Sequence, residues 1–175
     1  MPSSRNDGSA RAPAPERASA IQAELLQTRP FPSIYQEATV ALMRTTAMLR
    51  RAVSRVIETT GISMAQYNVL RILRGAGADG LPTLAIRARL IEEAPGITRL
   101  VEKLEQARLI RRDRSTPDRR QVMCRITDEG LALLSGLDEA VDEVERQLLS
   151  PLTSADTERL LALLDRIRQG RGDAR

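Results

Sequence analysis

Only three of the 175 residues are aromatic, Phe31, Tyr35 and Tyr67, and there is no tryptophan. A core must therefore be built from Leu, Ile, Val, Ala and Met, which suits packed helices better than a β-sandwich. Histidine is absent. That excludes Ser-His-Asp triads, Cys-His pairs and His-ligated zinc. Cys124 is the single cysteine, so neither an intramolecular disulfide nor a multi-cysteine metal site can form. The longest stretch without charge, Thr59 to Leu70, is too short and too polar to span a bilayer. The first twenty residues hold no apolar core of a secretory signal. The expectation is a mostly helical, soluble, cytoplasmic protein with no membrane partner, no metal and no cofactor. Its length suits one domain, or a small domain joined to a dimerisation element.

The net charge of +4 conceals a segregation. Ala85 to Arg125 carries 11 basic and 6 acidic residues, whereas Ile126 to Asp165 carries 2 basic and 10 acidic. A contiguous basic excess of this kind points to an anionic partner more firmly than whole-chain charge does.

Residues 1–20, rich in Pro, Ser, Ala and Arg without periodicity, read as a disordered tail. Ile21 to Gln27 reads as a short helix stopped before Pro30 and Pro32. Ser33 caps a long helix to about Thr59 with an apolar stripe that includes Leu42, Leu49, Val53, Val56 and Ile57. Ser63 and Gln66 form a capping box for a helix that buries Val69, Leu70, Ile72 and Leu73 and ends in the loop Gly75 to Gly80. Thr83, after Pro82, caps a short helix through Arg89. Pro95 then takes the first helical position of another helix. That helix turns Ile97, Leu100, Val101 and Leu104 inward and Thr98, Arg99, Glu102, Lys103 and Gln106 outward.

Leu109 to Asp113 and Gln121 to Thr127 read as a β-hairpin around the turn chemistry of Ser115 to Asp118, with Arg114, Arg119 and Arg120 at its tip. Thr127 caps the next helix. Its Leu134, Leu137, Val141, Val144 and Leu148 fall at heptad spacing and are expected to form a dimer seam. After Pro151, Thr153 opens a last helix lined by Leu160, Leu161, Leu164 and Ile167. The organisation expected is a tail (1–20), N-terminal dimerisation helices (21–60), a winged helix-turn-helix (61–127) and C-terminal dimerisation helices (128–170).

Two short helices, a tight turn and a two-stranded hairpin make a winged helix-turn-helix, in which the second helix fits a major groove about 12 Å wide. The hairpin can reach the adjacent minor groove. This reading assigns base edges to Thr98 and Arg99, and phosphates to Lys103, Arg111 and Arg114. The partner expected is double-stranded DNA. The adjacent acid pairs Glu92–Glu93 and Asp128–Glu129 point apart on a helix and have simpler roles as turn and N-terminal charge, so no catalytic residue is assigned.

The runs Thr98 to Glu105, Leu109 to Arg112, Asp118 to Arg120 and Ile126 to Gly130, in this order and spacing, resemble the MarR family of transcriptional regulators, as does Ser63 to Leu70. The resemblance spans Ser33 to about Gln169. It implies a homodimer that binds a pseudo-palindromic operator, usually as a repressor. It also implies that Arg120 enters the minor groove, held by Asp118, while Arg119 meets phosphate. Three departures stand out. Pro95 and Gly96 occupy the start of the recognition helix where the family commonly has Ser or Thr. Arg87 replaces a small residue between the two helices, and Arg108 replaces a Gly before the wing.

The family often answers to a small aromatic or carboxylate effector. Tyr35, Met43, Met48, Tyr67 and Met123 are the residues suited to such a crevice, but a Met at helical spacing is more often core, and no effector residue is assigned. Cys124 shares its strand face with Val122 and Ile126 and reads as a buried hydrophobe rather than a redox sensor. The competing reading is a winged-helix protein-interaction module without sequence-specific DNA binding.

Overall fold

The computed structural model describes residues 19–92, 96–114 and 122–170. Residues 1–18, Pro95 and the wing tip with Asp118, Arg119 and Arg120 lie outside the described residues. The chain divides into two compact units, residues 1–47 and 48–175, with the division inside a long helix.

In the first unit, α1 (Ala20–Glu24) is capped by Ser19, whose Oγ accepts from the Gln22 amide at 3.2 Å. The chain leaves it through Leu26 at φ +52°. The long helix α2 (Ile34–Glu58) opens where expected, with Ser33 Oγ accepting from the Gln36 amide at 3.2 Å. Glu24 accepts from Arg44 Nε at 2.7 Å. Ile34, Tyr35 and Met43 stand exposed.

The second unit holds the core. The end of α2 contributes Ile57, fully buried. Gly61 turns the chain at φ +78°. The capping box that opens α3 (Met64–Ala76) is complete: Ser63 Oγ accepts from the Gln66 amide and Gln66 Oε1 accepts from the Ser63 amide. Tyr67, Val69, Leu70 and Leu73 line its buried face. A 3-10 turn (Gly77–Asp79) leads to a short strand that was not expected from the sequence, β1 (Leu81–Pro82). The wing is therefore part of a three-stranded antiparallel sheet rather than a lone hairpin, in the order β1, β3 (Val122–Ile126), β2 (Ile110–Arg114). Gly80 makes the third strand possible. At φ +68°, it lies so close to β3 that a Cβ would stand 2.3 Å from the Cys124 carbonyl oxygen.

The added strand corrects one local expectation. Pro82, extended in β1, occupies the cap position of α4 (Thr83–Arg89), and no side chain caps that helix. Thr83 Oγ1 turns instead to Cys124 Sγ at 3.7 Å. Cys124 is fully buried, and burial pushes its thiol above the usual range.

The helix α5 (Ile97–Gln106) begins two residues later than expected, with Gly96 rather than a residue before Pro95 at its cap. It ends in a Schellman motif: the Leu109 amide donates to the Leu104 carbonyl at 3.0 Å and the Arg108 amide to the Glu105 carbonyl at 2.9 Å, with Leu104 and Leu109 both buried. The left-handed position falls on Arg108, at φ +59°. A residue with a Cβ pays about 1–2 kcal/mol there, part of which a glycine would return as unfolded-chain entropy. Arg108→Gly is accordingly expected to raise unfolding free energy by about 0.5–1 kcal/mol, read in urea titration.

Thr127 caps α6 (Asp128–Leu149), its Oγ1 accepting from the Gly130 amide at 3.1 Å. The heptad reading of this helix needs correction. Leu134, Leu137 and Val141 are buried within the same chain, where α6 packs against α3. They belong to the core and not to a seam open to a second copy. Arg74 on α3 grips Asp138 on α6 with its two terminal guanidinium nitrogens, Nη1 and Nη2, at 2.8 and 3.1 Å. The last helix, α7 (Ser154–Gln169), carries a capping box of Thr153 and Asp156 and buries none of its residues.

Candidate nucleic-acid interface

The helix α5 sets the geometry of the site. Ile97, Val101 and Leu104 recur at helical spacing and are sealed in the core. The opposite face therefore points outward by construction. Thr98, Arg99 and Lys103 are exposed on it, with Arg99 and Lys103 one turn apart. Glu102 is half-buried. Gly96 precedes them at φ +99°, and an added Cβ there would meet nothing within 4 Å. Backbone conformation, not crowding, demands the glycine. No side chain caps this helix, because neither Gly96 nor the residue before it offers a hydroxyl.

Ile91 and Glu92, just after α4, are each held by a side chain from another helix. Asn68 Oδ1 on α3 accepts from the Ile91 amide at 3.1 Å, and Arg50 pairs with Glu92 at 2.5 Å. Arg87 is exposed.

The sheet adds the second basic element. Arg111 is exposed on β2, its Nε 3.7 Å from Asp113. Arg114 ends β2. Two further arginines that sequence reasoning left without a role are engaged inside the protein. Arg112 Nε donates to Glu105 of α5 at 2.6 Å, and that bond favours the charged guanidinium. Arg125 Nη1 donates to Asp113 at 2.9 Å and its Nε to the Ala78 carbonyl at 3.0 Å. The signal available in the sequence was a lone acid, Asp113, inside the run Arg111, Arg112, Arg114.

Sequence reasoning also missed the junction joining these elements. The Thr127 amide donates to the Leu109 carbonyl at 3.1 Å, and its hydroxyl donates to the Arg108 carbonyl at 2.7 Å. Gly130 sits against the same backbone: a Cβ on it would lie 2.3 Å from the Leu109 oxygen and 2.8 Å from Ile126 Cγ1. One threonine and one glycine thus tie the end of α5, the start of the wing and the first turn of α6. Among the described residues, no group of His, Cys, Asp and Glu is placed to hold a metal, and no helix is long and apolar enough to cross a membrane.

A helix pair ending in an outward basic helix, followed by a strand pair beside it, defines a winged helix-turn-helix DNA-binding protein. Comparison with known proteins carries the assignment further. A profile of the MarR family matches residues 62–122. The chain is 34% identical over 128 residues to the HTH-type transcriptional regulator PecS of Dickeya dadantii, across 72% of this chain and 76% of that one. The crystal structure of a MarR transcription factor from Planctomyces limnophilus is 34% identical, with a TM-score of 0.61, and the match covers 78% of this chain and 98% of that one. The MepR–DNA complex of Staphylococcus aureus, at 23% identity and a TM-score of 0.69 over 75% of this chain and 96% of that one, shares the fold. The chain belongs to the MarR family. It is a DNA-binding transcriptional regulator and not an enzyme.

Proposed function

We propose that this regulator binds a pseudo-palindromic operator as a homodimer and represses transcription until a small aromatic or carboxylate effector releases it. The observation that carries the reading is the outward face of α5, where Thr98, Arg99 and Lys103 stand exposed on a helix whose other face is locked in the core. Thr98 and Arg99 take base edges, and Gly96 lets the backbone come close to the duplex. Lys103, Arg111, Arg114 and Arg119 meet phosphate. Arg120, held by Asp118, enters the minor groove. Pro95, beside Gly96 in sequence, is counted with the DNA-contacting residues. Residues 61–127 form the DNA-binding part, and the helices of 21–60 and 128–170 serve dimerisation. Support for the dimer comes from exposed apolar side chains that need a cover: Ile34, Tyr35 and Met43 in the first unit, and Leu161, Leu163 and Ile167 on α7 in the second.

Arg99 and Arg120 separate under test. A guanidinium bidentate to guanine discriminates among bases by about 1–3 kcal/mol, whereas the minor groove carries a degenerate pattern. Arg99→Ala is expected to relax base preference in the half-site core. Arg120→Ala is expected to weaken binding to all sites and flatten its salt dependence while the core motif persists. Binding-site selection with both variants at two salt concentrations checks this. A motif unchanged by Arg99→Ala, with every site weakened equally, would assign Arg99 to phosphate. Failure of the unsubstituted protein to select any duplex motif would overturn the reading altogether.

A further inference from the structure

The base of the wing is braced on both faces, and the two braces differ in what they reach. On one face, Arg112 of β2 stands opposite Cys124 and holds Glu105 of the recognition helix. On the other face, Arg111 and Arg125 stand directly opposite each other across the strand pair. Like charges in that position repel. Asp113, two residues along on the same face, lies between them: its carboxylate is 2.9 Å from Arg125 Nη1 and 3.7 Å from Arg111 Nε. Arg125 also donates through Nε to the Ala78 carbonyl in the turn before β1. Gly80 shapes the same spot, since a Cβ there would lie 2.6 Å from Arg125 Cγ. The guanidinium, with donors in a fixed fork, satisfies the carbonyl and the carboxylate together.

We infer that Arg125 and Asp113 are positioning residues that fix the wing against the turn 77–79, and so set where the wing meets DNA relative to α5. The inference rests on the DNA-binding reading above, but it makes a prediction of opposite sign to simple electrostatics. Asp113 lies in the most basic part of the chain. If it were only a charge near DNA, removing it would tighten binding. If it positions the wing, removing it loosens binding.

The test uses the full-length protein with Asp113→Asn, Arg125→Ala and the double variant, on the operator that the unsubstituted protein selects. Asp113→Asn is expected to weaken operator binding about fivefold and Arg125→Ala about tenfold. The double variant is expected to be no weaker than Arg125→Ala, because both act through one brace. Hydroxyl-radical footprints should lose protection at the flanks and keep it in the half-site cores. Tighter binding by Asp113→Asn, or effects of opposite sign that add, would overturn the inference and make Arg125 a phosphate contact. Amide hydrogen exchange of the free protein gives a reading that needs no DNA. Residues 110–114 and 122–126 should exchange faster in both single variants while α3 is unchanged. Should the unsubstituted protein bind no duplex, the regulator reading falls, and the exchange data still decide on the brace: unaltered exchange in both variants sinks it.

Discussion

Gly130→Ala is expected to destabilise the protein by about 3 kcal/mol or more and to abolish operator binding at the temperature where the parent protein binds. The added methyl would meet a backbone oxygen, that of Leu109, at 2.3 Å. That oxygen cannot yield cheaply, since it accepts the Thr127 amide. The same helix supplies the control. Gly136 has nothing within 4 Å of an added Cβ. Gly136→Ala should therefore stabilise by about 0.5–1 kcal/mol, the ordinary helical preference of alanine over glycine. Urea denaturation of both variants reads the contrast. Two destabilised variants would show that α6 tolerates no alanine for reasons unrelated to the junction, and two stabilised ones that α6 does not approach Leu109 this closely.

Leu137→Asp should unfold the isolated chain rather than split a folded dimer. Leu137 is 3% exposed within its own chain, in the layer between α6 and α3. A carboxylate there has no buried partner, and the expected loss of about 4 kcal/mol or more approaches the whole stability of an ordinary domain. Circular dichroism and sedimentation distinguish the outcomes. Loss of helical signal together with loss of assembly is the expected result. A variant that keeps its helical signal and sediments as a monomer would return Leu137 to an interface between copies.

The difference between these two residues explains what could be read from the sequence. Caps were legible at Ser63, Thr127 and Thr153, because a cap bonds within three residues of itself. The outward face of α5 was legible for a related reason: periodicity states which side chains turn inward. Periodicity does not name the neighbour they turn toward. Leu134, Leu137 and Val141 were correctly placed on a packed stripe and assigned to the wrong partner. Thr83 failed as a cap because β1 pairs with a strand some forty residues away, and that pairing decides the backbone at Pro82. Gly80 and Gly130 carry the sharpest constraints in the fold, yet each is set by a carbonyl remote in sequence. The one local hint was a glycine in the first turn of a helix, where propensity alone would favour alanine. The arginines of the wing were legible as charge but not as structure. Whether a guanidinium faces water or a neighbouring carboxylate depends on strand register, which places Arg111 across from Arg125 and leaves Asp113 to separate them.

The grip on α6 has a mechanical consequence. Its middle is held by the core residues around Leu137 and by the two-pronged bond from Arg74 to Asp138, while its first turn is tied to the end of α5 and the start of the wing through Thr127 and Gly130. A helix rises about 1.5 Å per residue, so the arm from Asp138 back to Asp128 is about 15 Å and the arm forward to Leu149 about 16.5 Å. A rigid rod pivoted near its centre is a seesaw with almost equal arms. Were α6 to tilt about Asp138, sideways travel at its Leu149 end would reach the Thr127 end with nearly the same size and the opposite direction.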